Sequence, residues 1–295
     1  MNGFLNVLKP PGMSSAQTVG VIKRLLGVKK AGHTGTLDPA AAGVLPVCLG
    51  RATKFSDYVM ATDKEYIAEI TFGIKTDTMD SVGKSVERDN KSAVSKDSLE
   101  NVLLEFNGKI VQTVPIYSAV KQNGLPLYKA AVKKQEASLP KREVNIKSIE
   151  ILSDEKNRYL MKIICSKGTY IRSLIEALGD RLNTCAYTSF LLRTGSGNFK
   201  IDQSYTIDEI KECSDIRQLL IPVDKALNDM PTLHLKDYLF DIITTGSAVD
   251  LRRAGLNAAD SINYRVFCRN EFLGVGKTKE NSLKLNAYYY LRGSK

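Results

Sequence analysis

Asp38 is the residue of this sequence that is best placed to do chemistry. The seven residues that end with it read GHTGTLD, and glycines this close together indicate backbone that needs positive φ or a close approach to another group. Among the first 60 residues Asp57 is the only other acid, against seven Lys or Arg, so this region carries half of the chain's formal charge of +10. A lone carboxylate in a positive field is a candidate reactive group facing a polyanion.

Two structural interpretations compete with this one. Asp38 is followed by Pro39 and three alanines, a pattern that is also typical of a helix start with Asp38 as the N-cap. His33 taken alone is more often a structural residue than a reactive one. The local sequence leaves both alternatives open, so the decision depends on what the rest of the chain brings to Asp38.

The composition is that of a globular protein and limits the classes of function. No apolar run in the 295 residues is long enough to span a bilayer. Five scattered cysteines without a CxxC pair, and only two histidines, argue against a disulfide framework, a zinc site or a histidine-rich metal centre. We therefore expect a cytoplasmic protein without a cofactor, a metal or a membrane partner. A pI near 9.2 favours nucleic acid as the partner.

The elements that must position Asp38 are those of an α+β fold. Alternating or apolar runs predict strands at residues 3–8, 44–49, 65–73, 144–152, 159–166 and 184–194. Helical periodicity and capping residues predict helices at 15–26, 53–60, 95–106, 171–182 and 206–212. In the strand at 65–73, Tyr66, Ala68, Ile70 and Phe72 share one face.

A domain boundary is predicted near residue 230, where Pro222 and Pro231 lie close together. Beyond it, short strands at 264–269, 272–275 and 282–285 alternate with turn residues, as in a small β-barrel. This part has ten Lys or Arg against six Asp or Glu, which would suit contact with nucleic acid. We expect residues 1–230 and 231–295 to form two domains.

Two further segments have patterns that bear on function. Tyrosines and lysines interleave in residues 114–133, which suits base stacking with phosphate contact and equally suits packing in a core. Gly274–Thr278 ends like a phosphate-binding loop, but Glu271 stands where that motif needs glycine. A nucleoside triphosphatase is therefore excluded.

Several segments, in one order and spacing, resemble the TruB family of tRNA pseudouridine synthases. They are KPPG with SS at 9–15, GHTGTLDP at 32–39, GVLPVCLGRATK at 43–54, KEY at 64–66, GIKTDTMDSVG at 73–83, PIYSAVK and LYKAA at 115–131, and SKGTYIRSL at 166–174. The tail is similar to the small PUA-type RNA-binding barrel of bacterial members. The chain departs from the family pattern at Leu192, where members usually carry the first of two arginines, and at Val114 and Val132, which leaves the details of RNA affinity open.

The resemblance implies a fold and a site. The fold would be a mixed, mainly antiparallel sheet flanked by helices around a central cleft, and the protein would act as a monomer on the T-arm of tRNA. Uridine 55 of the T-loop would be isomerised to pseudouridine. Catalytic roles fall on Asp38, Arg172 and Tyr66. Substrate-binding roles fall on His33, Tyr66, Tyr170, Leu191, Lys9 and Lys121.

Two other functions share part of this evidence. A tRNA-binding or folding protein would have the same positive field, but it would not need Asp38 together with Arg172. An N-glycosylase would use the carboxylate to cleave the base and would then release it. Isomerisation differs from both because the detached base must be retained and rejoined to the ribose through carbon.

Overall fold

Two main sheets organise the chain. The computed structural model describes residues 1–89, 93–118, 120–122, 125–126 and 139–290. The predicted α+β class is confirmed, and none of the helices in these ranges is both long and apolar enough to cross a membrane.

The helices and strands have the following bounds in the described residues. The α-helices are α1 (Ser15–Leu25), α2 (Ser56–Met60), α3 (Lys96–Phe106), α4 (Ile171–Arg181), α5 (Ile207–Glu212), α6 (Val223–Ala226), α7 (Phe240–Thr244) and α8 (Leu251–Ala254). The first fourteen strands are β1 (Gly3–Lys9), β2 (Ala31–His33), β3 (Ala42–Leu49), β4 (Lys64–Phe72), β5 (Ile74–Thr76), β6 (Ser85–Arg88), β7 (Gly108–Thr113), β8 (Lys121–Gln122), β9 (Leu125–Pro126), β10 (Lys141–Glu155), β11 (Arg158–Cys165), β12 (Ala186–Ser196), β13 (Phe199–Lys200) and β14 (Leu220–Ile221). The last five are β15 (Thr232–Leu235), β16 (Val249–Asp250), β17 (Asn263–Cys268), β18 (Glu271–Lys279) and β19 (Ser282–Tyr288).

The larger sheet is mixed and mainly antiparallel, as predicted. Its strands run in the order β14-β1-β3-β12-β4-β11-β10-β7, with β13 on β12 and β2 on β3. Within this sheet the parallel pair is β12 with β3, joined through Leu192 opposite Ala42 and Arg193 opposite Gly43. The sheet therefore consists of two antiparallel halves that meet at this short parallel contact.

Helices α3 and α4 cover one half of this sheet. Their apolar residues, including Leu99 and Leu174, pack against the buried face of β4, where Tyr66, Ala68 and Ile70 alternate with partly exposed residues as predicted. A second cluster places Ile22 of α1 against β1 and β3. Ser14 and Gln17 form a capping box at the start of α1, which explains why the helix begins there.

The smaller sheet is a curled half-barrel with the order β15-β17-β18-β19-β16. The larger sheet ends before the predicted boundary at residues 230 and 231, and the smaller sheet begins after it. One core cluster crosses this position, because Phe4 and Phe55 pack in the same cluster as Val275 and Ala287. Phe55 also contacts Phe272, with ring centroids 5.9 Å apart.

Candidate active site

The loop between β2 and β3 carries Asp38, and α1 holds it in place. The buried Ser15 hydroxyl accepts a hydrogen bond from Leu37 N (2.7 Å) and donates one to Leu37 O (2.9 Å). No helix follows Asp38, so its interpretation as a helix N-cap is wrong. Only one turn forms, in which Ala41 N donates to Asp38 O (3.1 Å).

Arg172, in the first turn of α4, forms an ion pair with Asp38. Its Nε lies 2.8 Å from Asp38 Oδ2, and only 4% of its side chain is exposed. Nη1 donates to Thr78 O (2.9 Å) and Nη2 to Tyr117 O (3.0 Å). A second carboxylate, Asp80 Oδ2, lies 3.7 Å from Nη1. These contacts fix the direction from which the guanidinium meets Asp38.

The surroundings of Asp38 act on its ionisation in opposite directions. Burial raises the pKa of the Asp38 carboxyl above its usual range, and the nearby Asp80 carboxylate also raises it. The Arg172 guanidinium and the more distant Lys9 ammonium oppose that rise. The charged form of Asp38 therefore depends on Arg172.

A cavity of about 310 Å³ opens beside this ion pair. Tyr66, Tyr170 and Leu191 line it together with Asp38 and Arg172. Among its described lining residues the only carboxylate is that of Asp38. The cationic lining residues are Lys64, Arg142, Lys167, Arg172 and Arg193. A pocket with apolar walls and this excess of positive charge suits an aromatic base with attached phosphates.

The two tyrosines enter the cavity from different elements. Tyr66 is 7% exposed on β4, and burial raises the pKa of its hydroxyl, so the ring is neutral. Tyr170 precedes α4, and Gln112 holds its backbone by accepting from its N–H (3.1 Å) and donating to its carbonyl (3.3 Å). Burial raises the pKa of Tyr170 as well. Strand pairing in the larger sheet therefore positions the Tyr66 ring, and the two hydrogen bonds with Gln112 position the backbone that carries the Tyr170 ring.

His33 lies at a neighbouring cavity of about 570 Å³, on another side of the Asp38 loop. Leu37, Asp38 and Arg172 line both cavities. The imidazole Nδ1 accepts from Gly35 N (3.4 Å), and burial lowers the pKa of His33, which keeps the ring neutral. Among the described residues no group of three or more His, Cys, Asp or Glu side chains is arranged to hold a metal ion.

A comparison with protein families gives a match that covers half of the chain. The family described as TruB family pseudouridylate synthase (N terminal domain) matches residues 23–171, which include the Asp38 loop, Tyr66 and the start of α4. The chain belongs to this family. The resemblance inferred from the sequence segments is thereby confirmed.

Similarity to individual TruB family members extends over nearly the whole chain. A tRNA pseudouridine synthase B of Caldanaerobacter subterraneus subsp. tengcongensis is 42% identical over 285 residues, which cover 96% of this chain and 98% of that protein. The protein of the same name from Clostridium tetani is 40% identical over 282 residues, covering 95% and 97% of the two chains.

Solved structures share the fold of this TruB family member. An H/ACA ribonucleoprotein bound to a substrate RNA containing 2′-deoxyuridine includes a chain with a TM-score of 0.77 at 25% identity, covering 99% of this chain and 86% of that one. A Cbf5-Nop10-Gar1 complex includes a chain with a TM-score of 0.76 at 28% identity, covering 98% and 85%. The predicted pseudouridine-synthase fold is therefore confirmed.

Lys9 is the predicted substrate-binding residue of the described part of the chain that does not line either cavity. Lys9 is fully buried, and its ammonium donates to Pro10 O (2.7 Å) and Met13 O (2.6 Å). Burial lowers its pKa to about 8. No part of the Lys9 side chain reaches the surface in this structure, and its contact with substrate stays a prediction. The side chain of Lys121, like half of the residues at 114–133, lies outside the described part of the chain.

Two residues at the site were missed as functional candidates from the sequence. Asp80 shares Arg172 with Asp38, and Arg193 lies in the cavity wall with 1% of its surface exposed. Asp80 belongs to the segment at 73–83 that resembles the family, and Arg193 follows Leu191 by two residues. Each residue therefore lies in or beside a recognisable motif, but the motif alone does not indicate what the side chain does. Their roles depend on long-range contacts that spacing along the chain does not contain.

Proposed function

We propose that this TruB family member isomerises uridine 55 in the T-loop of tRNA to pseudouridine, with Asp38 as the reacting carboxylate. The observation that carries the proposal is the Asp38–Arg172 ion pair of 2.8 Å at the wall of a cavity lined by Tyr66 and Leu191. Such a carboxylate can attack ribose C1′ or remove a ribose proton in an elimination route. Both routes need the charged form that Arg172 favours.

The reaction rearranges bonds within one nucleotide. The bond from C1′ to N1 breaks, the base turns, and C1′ bonds to C5. The C5 proton is then lost and N1 gains a proton, so that the product is an isomer of the substrate. We propose that the cavity wall formed by Tyr66 and Leu191 retains the detached base through these steps and keeps water from C1′.

We assign recognition of the substrate to the residues around the Asp38–Arg172 ion pair. The uridine must leave its stack to reach Asp38, and stacking on the neutral Tyr66 ring would hold it with about 1–3 kcal/mol. We propose that His33, in the adjacent cavity, contacts the RNA where the base leaves the loop, and that Tyr170 packs against the bound nucleotide. These roles follow the position of each side chain at the two cavities.

The choice of tRNA as substrate rests on the relatives. Proteins named tRNA pseudouridine synthase B are about 40% identical to this chain over nearly its full length. We further propose that residues 231–295, whose strands form the half-barrel, are a PUA-like unit that binds the same tRNA. The monomeric state remains a prediction.

The decisive experiment follows pseudouridine at single-nucleotide resolution. The full chain is incubated with an unmodified tRNA transcript, and the product is mapped by base-selective chemistry, with a transcript carrying cytidine at position 55 as the substrate control. We expect one pseudouridine, at position 55. Modification at another uridine alone would contradict the assigned position.

The Asp38→Asn variant tests the role of the carboxylate. We expect it to abolish pseudouridine formation while tRNA binding stays within several-fold of the unchanged protein, because the amide cannot act as nucleophile or base. Asp57→Asn, which changes the other acid of the first 60 residues on the exposed side of α2, is the matched control and should retain activity. Free uracil from the unchanged protein would instead indicate an N-glycosylase, and binding without any chemistry would indicate a tRNA-folding protein.

A further inference from the structure

Arg193 is a buried cation that the reaction proposed above does not use. It is among the largest fully buried side chains, with 1% of its surface exposed. Within the described residues no carboxylate lies within 4 Å of its guanidinium, whereas Arg172 pairs with Asp38. A buried charge without an ion-pair partner is unfavourable unless hydrogen bonds hold it, so its contacts indicate what it does.

The guanidinium bonds the backbone on both sides of Asp38. Nε donates to Val44 O (2.7 Å), which follows the loop, and Nη2 donates to Gly35 O (3.1 Å), which precedes Asp38. A third bond, from Nη1 to Thr36 O, is longer at 3.4 Å. One rigid planar group therefore spans the two ends of the loop that presents the carboxylate.

The backbone of Arg193 also lies at the contact between the two halves of the larger sheet. It pairs with Gly43 of β3, where φ is +113° and an added Cβ would lie 2.2 Å from the Arg193 carbonyl oxygen. On its other side β12 pairs with β4, which places Arg193 opposite Tyr66. Its neighbour two residues back is Leu191. One residue thus connects the Asp38 loop with the two strands that supply the stacking ring and the apolar wall.

We propose that Arg193 is a positioning residue for the isomerisation, one that fixes the Asp38 loop relative to Tyr66 and Leu191. This inference rests on the proposed function. Its role is geometric: the carboxylate must meet C1′ while the base is held between groups on other strands, and a displacement of about 1 Å can reduce a rate by about 100-fold. Loss of the clamp would slow the chemical step and leave RNA binding, which other surfaces provide, nearly unchanged.

The alternative is that Arg193 only stabilises the fold, and the chain offers a matched control for it. Arg265 of β17 uses its guanidinium in the same way, donating to Met230 O (2.9 Å), Asp224 O (3.0 Å) and Asn228 O (3.4 Å). It belongs to the smaller sheet and is not among the residues that line the two cavities. Arg265 is half-buried and also donates to Thr232 Oγ1 (2.9 Å), so Arg265→Gln removes a similar but less buried set of hydrogen bonds without touching the Asp38 loop.

The test compares Arg193→Gln, Arg193→Lys and Arg265→Gln in the full chain. For each, the single-turnover rate of pseudouridine formation at saturating tRNA, the Kd for tRNA and the Tm are measured. We expect Arg193→Gln to lower the rate about 100-fold with Kd within about threefold, and Arg193→Lys, which keeps the charge and part of the bonding, to recover part of that loss. Arg265→Gln should lower the Tm and leave the rate within about threefold, because any weaker binding of tRNA by the smaller sheet does not affect a rate that is measured at saturating tRNA.

Two results would overturn the proposal: a rate for Arg193→Gln no lower than that of Arg265→Gln, or a loss that appears in Kd and not in the rate. If Arg193→Gln does not fold, Arg193→Lys provides the test. A rate for Arg193→Lys equal to that of the unchanged protein would exclude a positioning role for the N–H groups of the Arg193 guanidinium. An unchanged protein that forms no pseudouridine would instead refute the proposed function, so the two failures are distinguishable.

Discussion

At the scale of single residues, the site is an arginine shared by two carboxylates. Arg172 lies 2.8 Å from Asp38 and 3.7 Å from Asp80. Its guanidinium also donates hydrogen bonds to the backbone carbonyls of Thr78 and Tyr117. Asp80 in turn accepts a hydrogen bond from Val82 N (3.2 Å), which fixes its own position. Burial raises the pKa of Asp38, Arg172 lowers it and Asp80 raises it, so the charge of Asp38 depends on its burial and on both neighbouring side chains.

This arrangement predicts how the rate depends on pH. In the proposed reaction Asp38 must be ionised, so the single-turnover rate should rise with pH through a pKa that burial has raised. Arg172→Gln removes the largest influence that lowers this pKa, so the acidic limb of the profile should move to higher pH. The variant's loss of rate should therefore be greatest at low pH.

The matched control for the pH profile lies on the same helix. Arg181 of α4 forms an ion pair with Glu105, and both side chains are largely exposed. Arg181→Gln should leave the acidic limb where it is. An acidic limb for Arg172→Gln at the same or a lower pH than in the unchanged protein would show that Arg172 does not support the charge of Asp38.

At the scale of elements, the start of α1 determines where the Asp38 loop lies. Ser15 both donates to and accepts from Leu37, and its side chain is only 2% exposed. The chain after Asp38 becomes strand β3 from Ala42 onward, where it pairs with β12. Because so few residues separate Asp38 from this strand, the Asp-Pro step followed by alanines does not become helical here.

Ser15→Ala tests that dependence. The substitution leaves the buried N–H and carbonyl of Leu37 without partners, so we expect it to lower the free energy of unfolding by about 1–3 kcal/mol and to slow pseudouridine formation. Thr206→Ala, which removes the cap of α5 and costs about 1 kcal/mol, should lower stability without slowing the reaction. Denaturant unfolding and the single-turnover rate are the two measurements. Equal rates in both variants would contradict a link between α1 and the site.

The sequence predicts the features that depend on neighbouring residues better than those that depend on contacts between distant parts of the chain. Strand β4 was predictable because its buried and exposed residues alternate, and the starts of α1 and α5 because their caps are local. Asp38 with Arg172 followed from the family resemblance. The clamp by Arg193 and the burial of Lys9 were not predictable, since each depends on carbonyl groups that only the folded chain brings within reach.

At the scale of the whole molecule, the charge predicts the response of binding to salt. The chain carries a formal charge of +10, and Lys23, Arg24, Lys29 and Lys30 are exposed around the end of α1. Contacts of such cations with phosphates release counterions, so tRNA affinity should fall at least about tenfold between 50 and 200 mM salt. Replacing these four residues with Gln should make the dependence shallower while the rate at saturating tRNA stays the same. A salt dependence that is flat in the unchanged protein would contradict this account.

The core cluster that crosses the predicted domain boundary has a consequence for how the chain is made. Phe4, in β1, packs in one cluster with Val275 and Ala287 of the smaller sheet, which are synthesised much later. The apolar face of β1 therefore stays incompletely covered until the strands of the smaller sheet have been made, whatever the speed of translation. A product that terminates before these strands keeps part of this face exposed to chaperones and proteases.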